Sequence, residues 1–127
     1  MNRDELLAII DQAAHEGWTE LDLSNREISN LPLEIGRLSS LQELNLRRNQ
    51  LKIVPPQISQ LIDLQSLHLG HNHLKTIPSE IRQLTNLQSL DLSHNQLTDV
   101  PTEIDQLVNL QSLDLSHNQL TDVPTET

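Results

Sequence analysis

The sequence of 127 residues predicts an α/β solenoid: five short repeats coiled right-handedly behind a capping helix. Three observations lead there. The stretch LQELNLRRNQLKIVPPQISQLID, residues 41–63, recurs every twenty-three residues, at 64–86, at 87–109 and from 110 onward. It also fits backward at 18–40, with Trp18 in place of the first leucine. A fixed period in the twenties marks a solenoid. Within each copy leucines alternate with polar residues, as in Leu44-Asn45-Leu46 and Leu67-His68-Leu69, the period of a strand with one buried face. Residues 1–17 stand outside the repeat and carry a helical pattern instead.

That first segment, RDELLAIIDQAAHE over 3–16, places Leu6, Leu7, Ile10, Ala13 and Ala14 at helical spacing and predicts one apolar stripe. Asn2 followed by Glu5 has the form of a capping box. Gly17 sits where a left-handed residue would close the helix. The open end of a solenoid needs a cover. Residues 1–17 are therefore assigned to an N-terminal capping helix, and 18–127 to five repeats of which the last is incomplete. Trp18, the one aromatic residue, reads as a packing wedge between cap and first repeat rather than a binding hot spot.

Each repeat follows L-x-x-L-x-L-x-x-N-x-L-x-x-z-P-x-x-I-x-x-L-x-x, where z is Leu, Ile or Val. The core columns are Leu44, Leu67, Leu90 and Leu113, then Leu46, Leu69, Leu92 and Leu115. Ile58, Ile81 and Ile104, with Leu61, Leu84 and Leu107, fill the convex half. Pro32, Pro55, Pro78, Pro101 and Pro124 each follow an apolar residue and push it toward extended geometry. The convex side should therefore hold short turns or 3-10 segments rather than full helices. The seven apolar columns and the asparagine column, recurring together over 18–126, resemble the leucine-rich repeat family. The resemblance implies a concave parallel sheet, with strands about 4.8 Å apart. It also implies a buried ladder of Asn49, Asn72, Asn95 and Asn118, for which an amide, both donor and acceptor, is suited. Arg26 takes the ladder position in the first repeat, with Asn25 one residue early, so the loop there should be distorted.

The outward positions carry the functional reading. Position three reads Glu20, Glu43, Ser66, Ser89, Ser112, and position five reads Asp22, Asn45, His68, Asp91, Asp114. Position seven reads Ser24, Arg47, Gly70, Ser93, Ser116, and position eight Asn25, Arg48, His71, His94, His117. Stacked, these columns form a polar mosaic suited to protein recognition, because curvature offers several strands to one partner. The expected partner-binding residues are Glu20, Asp22, Glu43, Asn45, Arg47, Arg48, His68, His71, Asp91, His94, Asp114 and His117. Arg47 and Arg48 are the basic pair on an otherwise acidic face, and arginine is enriched at interface hot spots.

Other functions find little support. The net charge of −10 argues against nucleic acid, whose phosphates need a basic footprint. There is no cysteine, no apolar run of signal-peptide character and no stretch long enough to span a membrane, so a cytoplasmic protein is expected. No Gly-x-Ser-x-Gly elbow surrounds any serine, and Gly17, Gly36 and Gly70 are too far apart for a phosphate loop, so no enzyme is expected. His68, His71, His73, His94 and His117 lie toward one side, with Asp91 beside His68, and divalent metals take imidazole and carboxylate together. A single surface column does not build a tetrahedral cage, however, and His94 and His117 belong to identical copies of LQSLDLSHNQLTDVPTE. No metal or cofactor is expected; a metal-binding histidine surface stays an alternative.

The variant L-x-x-z-P-x-x-I-x-x-L, together with the opening ELLAIIDQAAHEGWTELDLS, resembles the N-terminal repeat region of bacterial Roco-type proteins. In those, repeats precede a Ras-like GTPase domain. The resemblance implies a sensor or docking arm of a signalling GTPase, although the nucleotide-binding motifs themselves are not in this chain. A secreted bacterial repeat protein acting on host surfaces is the other reading. The fifth repeat stops at Thr127, where the preceding copy has Ile104 and Leu107. Its edge, blunted in part by Asp114 and Asp122, is expected to meet a second copy or a following domain.

Overall fold

The structure is a computed structural model that describes residues 1–121. Helix α1, Arg3–Glu16, opens with a complete capping box. Asn2 Oδ1 accepts from the Glu5 N–H at 2.8 Å while Glu5 Oε1 accepts from the Asn2 N–H at 3.4 Å. Gly17 closes it in the left-handed region at φ 65°, as the helix stop requires. Leu6, Ile10 and Ala13 are buried, and Ile9 and Ala14 pack beside them. The stripe thus runs Leu6, Ile9, Ile10, Ala13, the i, i+3, i+4, i+7 face. Leu7, expected on the stripe, lies off it at intermediate exposure, because it falls one position past the face that Leu6 defines.

Five three-residue strands follow: β1 Glu20–Asp22, β2 Glu43–Asn45, β3 Ser66–His68, β4 Ser89–Asp91 and β5 Ser112–Asp114. They pair in parallel and in sequence order, each residue opposite the one twenty-three later (Glu20 with Glu43, His68 with Asp91). Between consecutive strands, on the far side, lie 3-10 segments at Leu33–Arg37, Pro56–Gln60, Ser79–Gln83 and Thr102–Gln106. Each begins after an extended proline (ψ 153°, 146°, 146° and 141° at Pro32, Pro55, Pro78 and Pro101). The proline has no N–H to leave unpaired, and its carbonyl closes the turn, as in Ile58 N–H to Pro55 at 3.0 Å. The solenoid and its 3-10 convex side therefore follow from the proline and isoleucine columns. Pro124 and Asp122 lie outside the described residues.

The core is one continuous stack. Leu44, Leu67, Leu46 and Leu92 are wholly buried, as are Ile58 and Leu61 on the convex side. Trp18 is partly buried against this core, and its indole N–H donates to Glu16 Oε1 at 3.0 Å, so it packs where helix meets repeat. Arg37 bridges to Asp11 at 3.2 Å and fixes α1 over the first 3-10 segment.

The asparagine ladder forms as implied. Asn72 Nδ2 donates to the carbonyls of Leu46 and Leu69, both at 3.0 Å, and its Oδ1 accepts from the Leu51 N–H at 3.0 Å. Asn95 and Asn118 repeat the pattern one turn on each time. At the first repeat Asn49 Oδ1 takes both the Arg26 and Ile28 N–H groups, at 3.1 and 3.0 Å. The distortion expected there is real. Later turns have one left-handed residue each, at Arg48, His71, His94 and His117, whereas the first has two, Asn25 and Glu27, both at φ 56°.

Candidate protein-binding surface

Alternation buries the middle residue of β1 to β4 and half-buries that of β5, with the neighbours on the open face, so positions three and five form two parallel columns. The backbone ladder extends past the strands. Leu46 donates to the His68 carbonyl at 2.8 Å, and Arg48 to that of Gly70 at 2.9 Å. His71 and His94 continue the second series to Ser93 and Ser116. Positions two through eight are therefore held in register between repeats.

Position five has a structural role that the bare sequence does not announce. Asp22, Asn45, Asp91 and Asp114 each accept the N–H two residues on, at 2.9–3.0 Å, forming Asx turns at the strand exits. At Asp91 and Asp114 the serine hydroxyl at position seven also donates, at 2.6 Å. The Ser116 hydroxyl and N–H hold the Asp114 carboxyl below the usual carboxylate range. His68 is the exception in this column, and it leans toward Glu43, with Nε2 3.5 Å from Oε1.

The centre of the face is ion-paired. Arg47 Nε lies 3.6 Å from Asp91 Oδ2, two repeats away, reaching across Gly70, which has no side chain to block it. A Cβ at position 70 would come within 2.9 Å of that same oxygen. Arg47 thus balances Asp91. Arg48 is exposed and has no ion pair among the described residues. The two arginines singled out together by the sequence therefore differ in environment.

Position eight builds a second feature. The rings of His71, His94 and His117 stack with centroids 4.1 Å apart and planes 10–11° from parallel. Ring faces turned to one another do not aim nitrogens at a shared ion. Among the described residues no three His, Asp or Glu side chains stand in a metal-holding arrangement. Burial, the neighbouring His94 ring and the nearby Arg48 and Arg47 push the His71 pKa down, against the opposing pull of Asp91. Glu20, Asp22 and Asp114 occupy the two ends of the face and are exposed.

A groove lined only by polar side chains lies elsewhere. Gln42, Gln65, Gln88 and Gln111 at position two line it together with Asp63, Asn86 and Asn109 at position twenty-three. None of these residues is among the outward positions expected to bind a partner. Their signal is the triplet Asp/Asn-Leu-Gln, which recurs at 63–65, 86–88 and 109–111. The buried leucine forces both polar flanks outward, yet nothing in the core asks them to be amides.

A family model described as leucine rich repeat matches residues 17–74 and 62–120. The chain belongs to the leucine-rich repeat family. Solved leucine-rich repeat structures agree with the fold. A repeat protein of Leptospira interrogans is 38% identical over 91% of this chain, with a TM-score of 0.68. A chain of the BIR3–SERK2 complex from Arabidopsis thaliana is 34% identical over 84%, with a TM-score of 0.76. Internalin C2 of Listeria monocytogenes is 28% identical over 87%, also with a TM-score of 0.76. The chain spans 36%, 60% and 47% of those three chains, respectively. Curated proteins give no significant match to it. Leucine-rich repeat domains generally mediate protein–protein interaction and are typically non-enzymatic.

Proposed function

We propose that the concave sheet docks a protein partner through its outward columns, by display rather than chemistry. The observation that carries this reading is the locking of those columns. Parallel strands, the ladder beyond them and the Asx turns hold the backbone before any partner arrives, so binding costs little ordering. The charge pattern describes the partner. Basic groups would face Glu20 and Asp22 at one end and Asp114 at the other, with a carboxylate opposite Arg48 between them. Arg47, Glu43, His68 and Asp91, already paired within the face, would frame that contact, and Asn45, His71, His94 and His117 would border it.

The narrower reading makes this region the docking arm of a signalling GTPase in the cytoplasm. The opening segment 5–24 and the proline-containing repeat variant support it. A GTPase domain encoded in or beside the same reading frame would then be retained on the immobilised protein and released by Arg48→Glu. Retention that ignores this substitution, and also ignores reversal of Glu20 and Asp22, would remove the concave face from the account.

Contact of β5 with a second copy or with a following domain belongs to the same reading. Leu110, Leu113, Leu115 and Leu120 are only partly buried, unlike their counterparts one repeat earlier, and they offer apolar surface to either. Light scattering across concentration tests the second-copy version. A constant monomer mass would reject that version.

A further inference from the structure

The groove at the edge where each repeat enters its strand encloses about 560 Å³. One wall is the glutamine column Gln42, Gln65, Gln88 and Gln111. Its backbone is fixed as tightly as the strands, because Gln65, Gln88 and Gln111 each donate an N–H to the preceding glutamine carbonyl at 2.7–2.8 Å. Among the described residues none of these four side-chain amides has a hydrogen-bond partner, and all four residues are exposed. On the other wall Asn86 and Asn109 spend their Nδ2 groups on the carbonyls of Ile62 and Thr85, at 2.9 and 2.7 Å. Each asparagine is thereby oriented with Oδ1 left as an acceptor. No lysine or arginine lines the groove, and Asp63 is its one charge.

This lining selects by exclusion as well as by attraction. Without a cation, and on a chain of net charge −10, it does not recruit phosphate, sulfate or carboxylate. Without an apolar wall it does not hold an aromatic ligand. Primary amides, each with donors and an acceptor, suit a neutral ligand dense in hydroxyls, whose groups donate and accept in turn. The amides repeat once per strand, about 4.8 Å apart. An extended chain of pyranose rings advances by nearly that distance per ring. Successive rings of such a chain are flipped, yet each carries hydroxyls on both edges, so every repeat still meets one. An extended peptide advances about 3.3 Å per residue and falls out of step with the strand spacing.

We propose that this amide groove is a binding site for a neutral, extended oligosaccharide lying along the solenoid axis, one ring per repeat. The site is separate from the concave face and does not depend on what binds there. The experiment follows the side-chain amide resonances of the whole chain by two-dimensional NMR during titration with cellohexaose. The expected result is saturable shifts at Gln42, Gln65, Gln88 and Gln111. In Gln65→Ala/Gln88→Ala, whose thermal unfolding should match the parent because both side chains are exposed, the affinity should fall at least about fivefold. Gln96→Ala, outside the groove, should leave it unchanged. Absence of saturable shifts would overturn the proposal, as would equal affinity in the double variant. Shifts produced in the groove by a neutral hexapeptide and not by cellohexaose would also overturn it.

Discussion

Arg47 reaches Asp91 over two repeats, crossing the bare backbone of Gly70 to bring Nε within 3.6 Å of Oδ2. The pair is partly exposed, at 40% and 18% of the side-chain surface, so its own worth is small, below about 1 kcal/mol. Its effect is on the face: it neutralises one arginine and leaves Arg48 as the cation available to a partner. Gly70→Val would put a branched side chain against the Asp91 carboxylate and Ser93, turn the carboxylate aside and release Arg47. Stability should drop by about 1–3 kcal/mol, since the added methyl groups press on the half-buried Asp91 carboxylate and the buried Ser93 hydroxyl. A urea midpoint unchanged within error, together with an unchanged Arg47 Nε resonance, would show that the crossing is not as described.

Removing a ladder asparagine should cost far more than breaking this pair. Asn72→Leu keeps the volume but strands the Leu51 N–H and takes a donor from the Leu46, Leu69 and Gly70 carbonyls. Each buried group left unpaired costs about 1–3 kcal/mol, so a loss of at least about 2 kcal/mol is expected. Asn95→Leu should match it, because Asn95 bonds Leu74, Leu69, Leu92 and Ser93 in the same way. Arg26→Asn should be neutral or slightly stabilising, as the Arg26 N–H is already satisfied by Asn49. Urea midpoints order the three variants, and equal midpoints for parent and leucine variants would contradict the ladder.

The histidine stack predicts a pH dependence of definite sign. His71 titrates below its ordinary value of 6.5, chiefly through burial, with His94, Arg48 and Arg47 adding like charge and Asp91 opposing them. The unfolded chain therefore takes up its proton first as pH falls. The contribution of neutral His71 is complete above about pH 6.5 and is lost as pH drops through the lower folded value. Denaturation at pH 7.5 and 5.5 should show a smaller difference for His71→Asn than for the parent. A His71 imidazole titrating at or above the ordinary value in NMR would reverse the sign and refute this.

The fold was legible because its signals are redundant. The twenty-three-residue period, the leucine alternation, the prolines and the Asn2, Glu5 and Gly17 caps each point to the same architecture. Within the helix, the spacing puts Leu7 on the stripe and omits Ile9, which packs on the core, because adjacent apolar residues blur a stripe until its partner surface is known. The surface was legible only as columns. That Arg47 would span two repeats depends on Gly70 and on the Asp91 rotamer, neither of which a column of letters displays. The stacking of His71, His94 and His117 likewise depends on their shared left-handed backbone, which the consensus does not spell out.

Docking on the concave face is the central claim, and charge reversal on its two sides tests it most directly. With one purified partner, binding should weaken at least about tenfold in Arg48→Glu, the size expected when an interfacial charge contact becomes a repulsion. Arg82→Glu, on the 3-10 segment Ser79–Gln83 of the opposite side, should bind as the parent does. Equal affinity of the two variants, or a greater loss in Arg82→Glu, would contradict the account.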